Sequence, residues 1–281
     1  MKDYIIVANG PFLVREIIEE AIQNKIIIAL DGAADKLRRI NVVPHIILGD
    51  FDSISTESQA YWGIRETFDD MTNTSLPYTG NHSVTIVPAK DQDNTDLVKA
   101  IRYCDKKGAT NITLICAAGG RDDHYEGVKM ALNTEYSPHR VITLHTEQQS
   151  LRYAKDETIV INGKRGDYCG VIATNTGTCS SVGLEYECSA HAESICNRLK
   201  RSSATLVIKG SALLIMPPQL TSQRVFMQKN EEERLELQLR DARSKPTSVN
   251  ILVRFSLFAA ASAVGVVVLL AANSQGKSAS T

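Results

Sequence analysis

Two aspartates separated by one residue, in His45-Ile46-Ile47-Leu48-Gly49-Asp50-Phe51-Asp52-Ser53, are the first side chains in this sequence whose spacing could do chemistry. A short apolar run broken by a glycine reads as a buried strand. Strand side chains alternate in direction, so Asp50 and Asp52 share a face if the extended form continues past Gly49. Like charges held that close repel and raise each other's pKa unless a cation sits between them. Hard divalent cations take oxygen ligands, and magnesium pairs one or two carboxylates with substrate phosphates. The plain alternative is a polar loop after a strand, because Asp and Ser are ordinary turn residues.

Three further clusters repeat the theme: Asp31-Gly32-Ala33-Ala34-Asp35, Asp91-Gln92-Asp93-Asn94-Thr95-Asp96 and Gly119-Gly120-Arg121-Asp122-Asp123-His124. Each has an ordinary reading as well. Asp93 and Asp122 suit helix caps, Gly119-Gly120 suits a tight turn, and a lone histidine such as His124 is more often structural than catalytic. What raises these clusters above the ordinary is where the pattern places them.

Strand-like and helix-like segments alternate along the first half. Strands are expected at 4–8, 25–30, 45–48, 83–87, 111–117 and 140–144, and helices at 12–24, 33–40, 93–107 and 122–133, with a polar, irregular stretch through Gly80. This alternation predicts a mostly parallel sheet covered on both faces, a three-layer α/β domain over 1–147. Ligands of such sheets bind beyond the carboxyl ends of the strands. Every acidic cluster falls at such an end. Four such loops on one rim would form a cation-filled phosphate site. The helix N-termini there add free N–H groups, and Arg121 adds a guanidinium fork.

After Gln148 the pattern changes to short apolar runs at 151–154, 158–162, 168–174, 206–209 and 212–216, separated by Asn162-Gly163 and Lys209-Gly210. An all-β sandwich or barrel over 148–218 is expected. A charged stretch over 219–254 follows as a linker or solvated helix. The uncharged apolar run 255–272, with Arg240, Arg243, Lys245 and Arg254 before it and Lys277 after, sits at the lower length limit for a membrane-spanning helix with the body cytoplasmic. A packed apolar helix is the alternative.

Composition narrows the classes. The formal net charge of -1 over 281 residues argues against a general nucleic-acid binder. Six cysteines include no C-x-x-C pair, and the N-terminus lacks a signal-peptide pattern. Reduced, mostly structural cysteines in a cytoplasmic body are the expectation. Gly276-Lys277-Ser278 is not a phosphate-binding loop, since position 271 is alanine.

Taken together with Asn9-Gly10, these loops in this order resemble the thiamine pyrophosphokinase family over residues 4 to 217. The resemblance implies an α/β nucleotide-binding domain, a β-sandwich, a homodimer with thiamine near the subunit interface, and transfer of pyrophosphate from ATP to thiamine with release of AMP. It implies a Mg2+ cluster of Asp31, Asp50, Asp52 and Asp96. Asp31, Ser53, Gln92, Asp93, Thr95, Arg121 and His124 would hold ATP, with Asp123 helping to position its phosphates. Asp50, Asp52, Asp96, Arg121 and Asp123 would carry catalysis, with Asp96 or Asp123 accepting the hydroxyl proton. Gly183-Leu184-Glu185-Tyr186 and Ser194-Ile195-Cys196-Asn197 resemble the thiamine motifs, so Tyr186, Ser194 and Asn197 would meet thiamine. The family usually has tryptophan where Tyr186 stands and serine where Cys196 stands. A rival enzyme reading is a haloacid-dehalogenase-like phosphatase with Asp50 as nucleophile. A rival of another class is a non-catalytic, membrane-tethered thiamine- or nucleotide-binding module.

Overall fold

The computed structural model describes residues 2–65, 77–188, 193–218 and 223–225. Near-continuous apolar runs form the first strands: β1 (Asp3–Val7), β2 (Ile26–Leu30) and β3 (Ile46–Gly49). After β4 (Tyr78–Thr79) come β5 (Thr85–Pro88), β6 (Asn111–Ile115) and β7 (Val141–His145). The order β7-β6-β1-β2-β3-β5-β4 is parallel except for β4, which runs antiparallel to β5. The chain builds outward from β1 to β5 and then crosses back to lay β6 on the other side of β1. That crossing is the topological switch point where such sheets bind ligands.

Runs this apolar are buried on both faces, and alternate residues serve different cores. Ile5, Val7, Ile27 and Ala29 pack with Ile18, Ala21, Ala33, Leu37 and Trp62. These come from α1 (Arg15–Ala21), α2 (Ala33–Arg39) and α3 (Thr56–Trp62). Tyr4, Ile6, Ile28 and Leu30 pack with Leu97, Ala100, Ile101, Val128 and Ala131. Those belong to α4 (Asp96–Lys106) and α5 (Asp122–Thr134). Each fully buried aliphatic side chain contributes about 1.5–3 kcal/mol, so the loops at the strand ends rest on a stiff platform.

Helix α3 lies in the stretch read as irregular. The Ser55 hydroxyl caps it by accepting from the Ser58 N–H at 3.3 Å, and Gly63 ends it with φ 71°.

At the expected domain boundary the chain turns tightly over Thr146–Gln149, the Thr146 N–H donating to the Gln149 carbonyl at 2.9 Å. β8 (Ser150–Asn162) then pairs antiparallel with β7, so the sheet runs on. β9 (Tyr168–Val182), β10 (Glu193–Arg198), β11 (Ser203–Met216) and β12 (Gln223–Val225) complete the described strands, all antiparallel. The molecule is thus a mixed α/β protein with one large sheet. Lys209-Gly210 is not a turn between strands. Gly210 has φ 71° and its N–H donates to the Asp156 carboxylate at 2.7 Å, a bulge inside β11 opposite Asp156, itself at φ 49°. A third core, including Ile159, Val171, Leu184, Leu206 and Leu214, belongs to this half.

Within the stretch 219–254, expected as a linker or solvated helix, Gln223–Val225 instead form β12 against β8. The rest of that stretch and the apolar run 255–272 lie outside the described residues, among which no helix is long and apolar enough to cross a membrane.

Candidate active site

The carboxyl ends of β2, β3 and β5 face one rim, and three of their loops deliver carboxylates to one place. Oxygen atoms of Asp31, Asp50 and Asp96 lie within 4.8 Å of one another. Asp31 directly follows β2, Asp50 follows β3, and Asp96 opens α4 after the β5 loop. Asp31 is 6% exposed. Its Oδ2 accepts from the Ser53 N–H at 3.2 Å, while its buried Oδ1 has no hydrogen-bond partner among the described residues. A buried carboxylate oxygen without a partner is costly unless something else satisfies it.

Burial, followed by the nearby Asp52 carboxylate, pushes the Asp31 carboxyl up to about 6 against the stabilising Ser53 contacts. Burial also raises Asp96, with Lys99 opposing and Asp50 and Asp52 adding repulsion. Carboxylates held together and raised in this way are the donor set that a hard divalent cation would satisfy. The residues present fit a magnesium ion.

The rim owes its shape to backbone that few residues adopt. Asp31 (φ 45°), Phe51 (φ 69°) and Cys116 (φ 57°) are left-handed non-glycine residues, all within two residues of a strand end. At Phe51 the extended form stops, so Asp50 and Asp52 are not presented as neighbours along one strand face. Instead the Asp52 N–H reaches back to Asp50 Oδ1 at 3.4 Å, and Asp52 Oδ1 accepts from the Ser53 hydroxyl at 2.9 Å. Asp52 acts on the cluster through its charge on Asp31 and Asp96, while the close triad is Asp31, Asp50 and Asp96. Gly32 is needed for close approach: a Cβ there would sit 2.5 Å from the Asn9 side-chain nitrogen and 2.9 Å from the Ser53 carbonyl oxygen.

The other expected nucleotide residues fall into two groups. Gln92 joins the cluster, its amide donating to Asp50 Oδ2 at 3.3 Å. Asp93 and Thr95 shape the same loop. The Asp93 N–H donates to Asp91 at 2.8 Å, and the Thr95 hydroxyl caps α4 by accepting from the Val98 N–H at 3.4 Å. The second group stands at the start of α5 after two left-handed glycines, Gly119 and Gly120. There Arg121 makes a two-pronged ion pair with Asp123 at 2.6 and 3.1 Å, and both are exposed. The pairing lowers the Asp123 carboxyl below its usual range, making it a weak base while Arg121 holds it. His124 is exposed on the same turn.

Two lysines were invisible to motif reading. Lys99 Nζ donates to Asp96 Oδ1 at 3.0 Å and to the Ala89 carbonyl at 2.7 Å. Lys36 Nζ donates to the Asn9 and Gly10 carbonyls at 2.9 and 2.8 Å, tying the β1 loop to α2. For Lys99 the available signal was its spacing of three from Asp96, since a side chain one turn on lies beside the first residue of the helix; Lys36 carried no such signal.

The expected thiamine residues form a separate cluster around β10, at the far end of the strand order. Asn197 is fully buried. Its Oδ1 accepts from the Tyr186 and Arg198 N–H groups at 3.1 and 2.8 Å, and its Nδ2 donates to the Tyr186 carbonyl and Ser194 hydroxyl at 2.6 and 2.8 Å. Tyr186 is 70% exposed. The Asn197 amide is therefore spent on positioning, and Tyr186 presents the free surface.

Residues 18–143 match the family model described as thiamin pyrophosphokinase, catalytic domain. Over this stretch the chain is similar to the thiamin pyrophosphokinase catalytic domain. It is similar to thiamin pyrophosphokinase 1 of Caenorhabditis elegans, with 31% identity over 174 residues, 57% of this chain. The chain spans 63% of the length of that relative. Among solved structures, the Bacillus subtilis thiamine pyrophosphokinase superposes with a TM-score of 0.62 at 21% identity, covering 78% of this chain and 100% of that one. The yeast enzyme gives 0.60 at 15% identity over 78% of this chain and 87% of its own. These structures share the fold, and the phosphatase alternative is not favoured by the family match.

Proposed function

We propose that this protein transfers the pyrophosphoryl group of ATP to the hydroxyl of thiamine, giving thiamine diphosphate and AMP. The observation that carries the reading is the convergence of Asp31, Asp50 and Asp96 within 4.8 Å, with Asp31 Oδ1 buried and without a hydrogen-bond partner among the described residues. Asp31, Asp50 and Asp96 would hold magnesium, with Asp52 adding negative charge beside them. Bound magnesium would supply charge neutralisation at the phosphate oxygens.

The chain's own residues do the positioning. Gln92, held on Asp50, lies where it can meet a phosphate oxygen, and the capped start of α4 at Thr95 offers free N–H groups. Arg121 exchanges Asp123 for the transferred group, where its fork suits phosphate geometry. Ser53, Asp93 and His124 complete the nucleotide side. The thiamine hydroxyl oxygen then bonds to the β-phosphorus while the bond from that phosphorus to the oxygen of the α-phosphate breaks, and AMP leaves with the electron pair. The hydroxyl proton passes to an aspartate. Asp96 and Asp123 are the two named acceptors, Asp123 being freed as Arg121 turns to the transferred group.

On the acceptor side, the Tyr186 face attracts the thiazolium cation, with Ser194 and Asn197 fixing its loop. A homodimer, with the β10 region near the subunit interface as the family resemblance implies, and a cytoplasmic location belong to the same reading. Incubation with ATP, magnesium and thiamine should yield AMP and thiamine diphosphate in equal amounts. Release of inorganic phosphate without thiamine diphosphate would overturn the proposal.

A further inference from the structure

Lys99 sits one helical turn beyond Asp96 with its side chain only 12% exposed. Burying an ammonium is unfavourable unless its donors are used, and here they are used on two different elements. One bond goes to Asp96 Oδ1 at 3.0 Å, on the first turn of α4, and the other to the Ala89 carbonyl at 2.7 Å, at the exit of β5. Ala89 is itself fixed to β3, its N–H donating to the Gly49 carbonyl at 2.8 Å, directly before Asp50. The chain of contacts therefore runs Asp50–Gly49–Ala89–Lys99–Asp96. It links the two carboxylates that arrive from different strands.

We propose that Lys99 is a positioning residue that sets the spacing and orientation of Asp96 against Asp50, and so sets the cluster's affinity for a divalent cation. The inference rests on the reading of Asp31, Asp50 and Asp96 as the cation site. Lys99 touches neither substrate nor cation. It acts by holding one oxygen of Asp96 and by bracing the β5 exit on which the intervening loop 91–95 hangs. Groups that orient metal-binding carboxylates typically control affinity by 10–100-fold. A purely electrostatic role predicts the opposite sign, since removing a cation beside three carboxylates would tighten metal binding.

The test is Mn2+ binding to the nucleotide-free full chain, followed by the loss of the free-ion electron paramagnetic resonance signal, for wild type, Lys99→Met and Lys99→Arg. The expected result is a dissociation constant about tenfold or more weaker in Lys99→Met. Lys99→Arg, which keeps a cation able to reach both oxygens, should recover most of the loss. Thermal melting of each variant without metal runs alongside. Unchanged or tighter Mn2+ binding in Lys99→Met, with or without a lower melting temperature, would overturn the role of Lys99 while leaving the cation site standing. A wild type that binds no Mn2+ would overturn the site and this inference together. Should Lys99→Met fail to fold, Lys99→Arg and Lys99→Gln decide together. Near-wild-type affinity in Lys99→Arg with loss in Lys99→Gln, which cannot span both oxygens, supports the proposal; retained affinity in Lys99→Gln overturns it.

Discussion

The two ends of the sheet keep their buried polar groups in opposite states. At the strand ends of the parallel half, Asp31 is buried with one oxygen bonded and the other without a partner among the described residues. In the antiparallel half, Asn197 is equally buried, and its amide makes four hydrogen bonds to its own loop and strand. Buried polar groups are normally satisfied, so the contrast separates two jobs. The unsatisfied carboxylate has a free oxygen to offer, as the proposed cation site requires, whereas the satisfied amide holds other residues in place. Among the exposed groups, Arg121 and Asp123 satisfy each other, and Tyr186 has a face open to solvent.

The largest effect expected from breaking this contrast is on turnover. Asp50→Asn should lower the rate of thiamine diphosphate formation by about 10²–10³-fold, with an unchanged circular dichroism spectrum. Full activity would defeat the metal assignment. Next is Asn197→Ala, which strands buried partners. It should cost about 2–4 kcal/mol of stability in urea unfolding while leaving Mn2+ binding unchanged, because β10 lies far from β2, β3 and β5 in the strand order.

Asp31→Asn probes the opposite end and should behave in the opposite way. The folded-state pKa of Asp31 is raised to about 6, above its ordinary value. Its protonated form therefore stabilises the metal-free fold at low pH, and that contribution is lost as pH rises through about 6. Metal-free Asp31→Asn should then be more stable than wild type at pH 7–8 by about 1–2 kcal/mol. The advantage should vanish below about pH 4, as differential scanning would read. In wild type, the rise in melting temperature on adding Mg2+ should be present at pH 8 and fade below about pH 6, as protons compete for Asp31. The smallest effect belongs to Tyr186→Trp. A stronger cation–π face should tighten thiamine by about 0.5–1 kcal/mol, seen as a lower KM for thiamine at constant kcat.

Much of the parallel half was readable because its signals are local. Apolar runs such as Ile26–Leu30 end in an aspartate or glycine, and a parallel sheet must place all those ends on one rim. The cluster of Asp31, Asp50 and Asp96 follows from that geometry. What escaped was decided by contacts across the chain or by single backbone angles. Helix α3 carries its own cap at Ser55 and stop at Gly63, but its buried face is only Ser58 and Trp62, one of them polar, too sparse to read as an apolar periodicity. Asp52 left the expected face because Phe51 turns left-handed, which no spacing argument sees. Gly210 looked like a turn and is a bulge, since its N–H donates to Asp156, far back in the chain. Lys99 and Lys36 escaped because a lysine on a helix is ordinarily solvated.

The tight turn at Thr146–Gln149 gives this architecture a mechanical character. Because β7 and β8 stay hydrogen-bonded across it, the halves are stitched along a seam with no free tether. Jaw-like closure of one half upon the other would tear that seam. Any swing between the halves must first break the pairing of Leu144 with Leu151 and of His145 with Ser150.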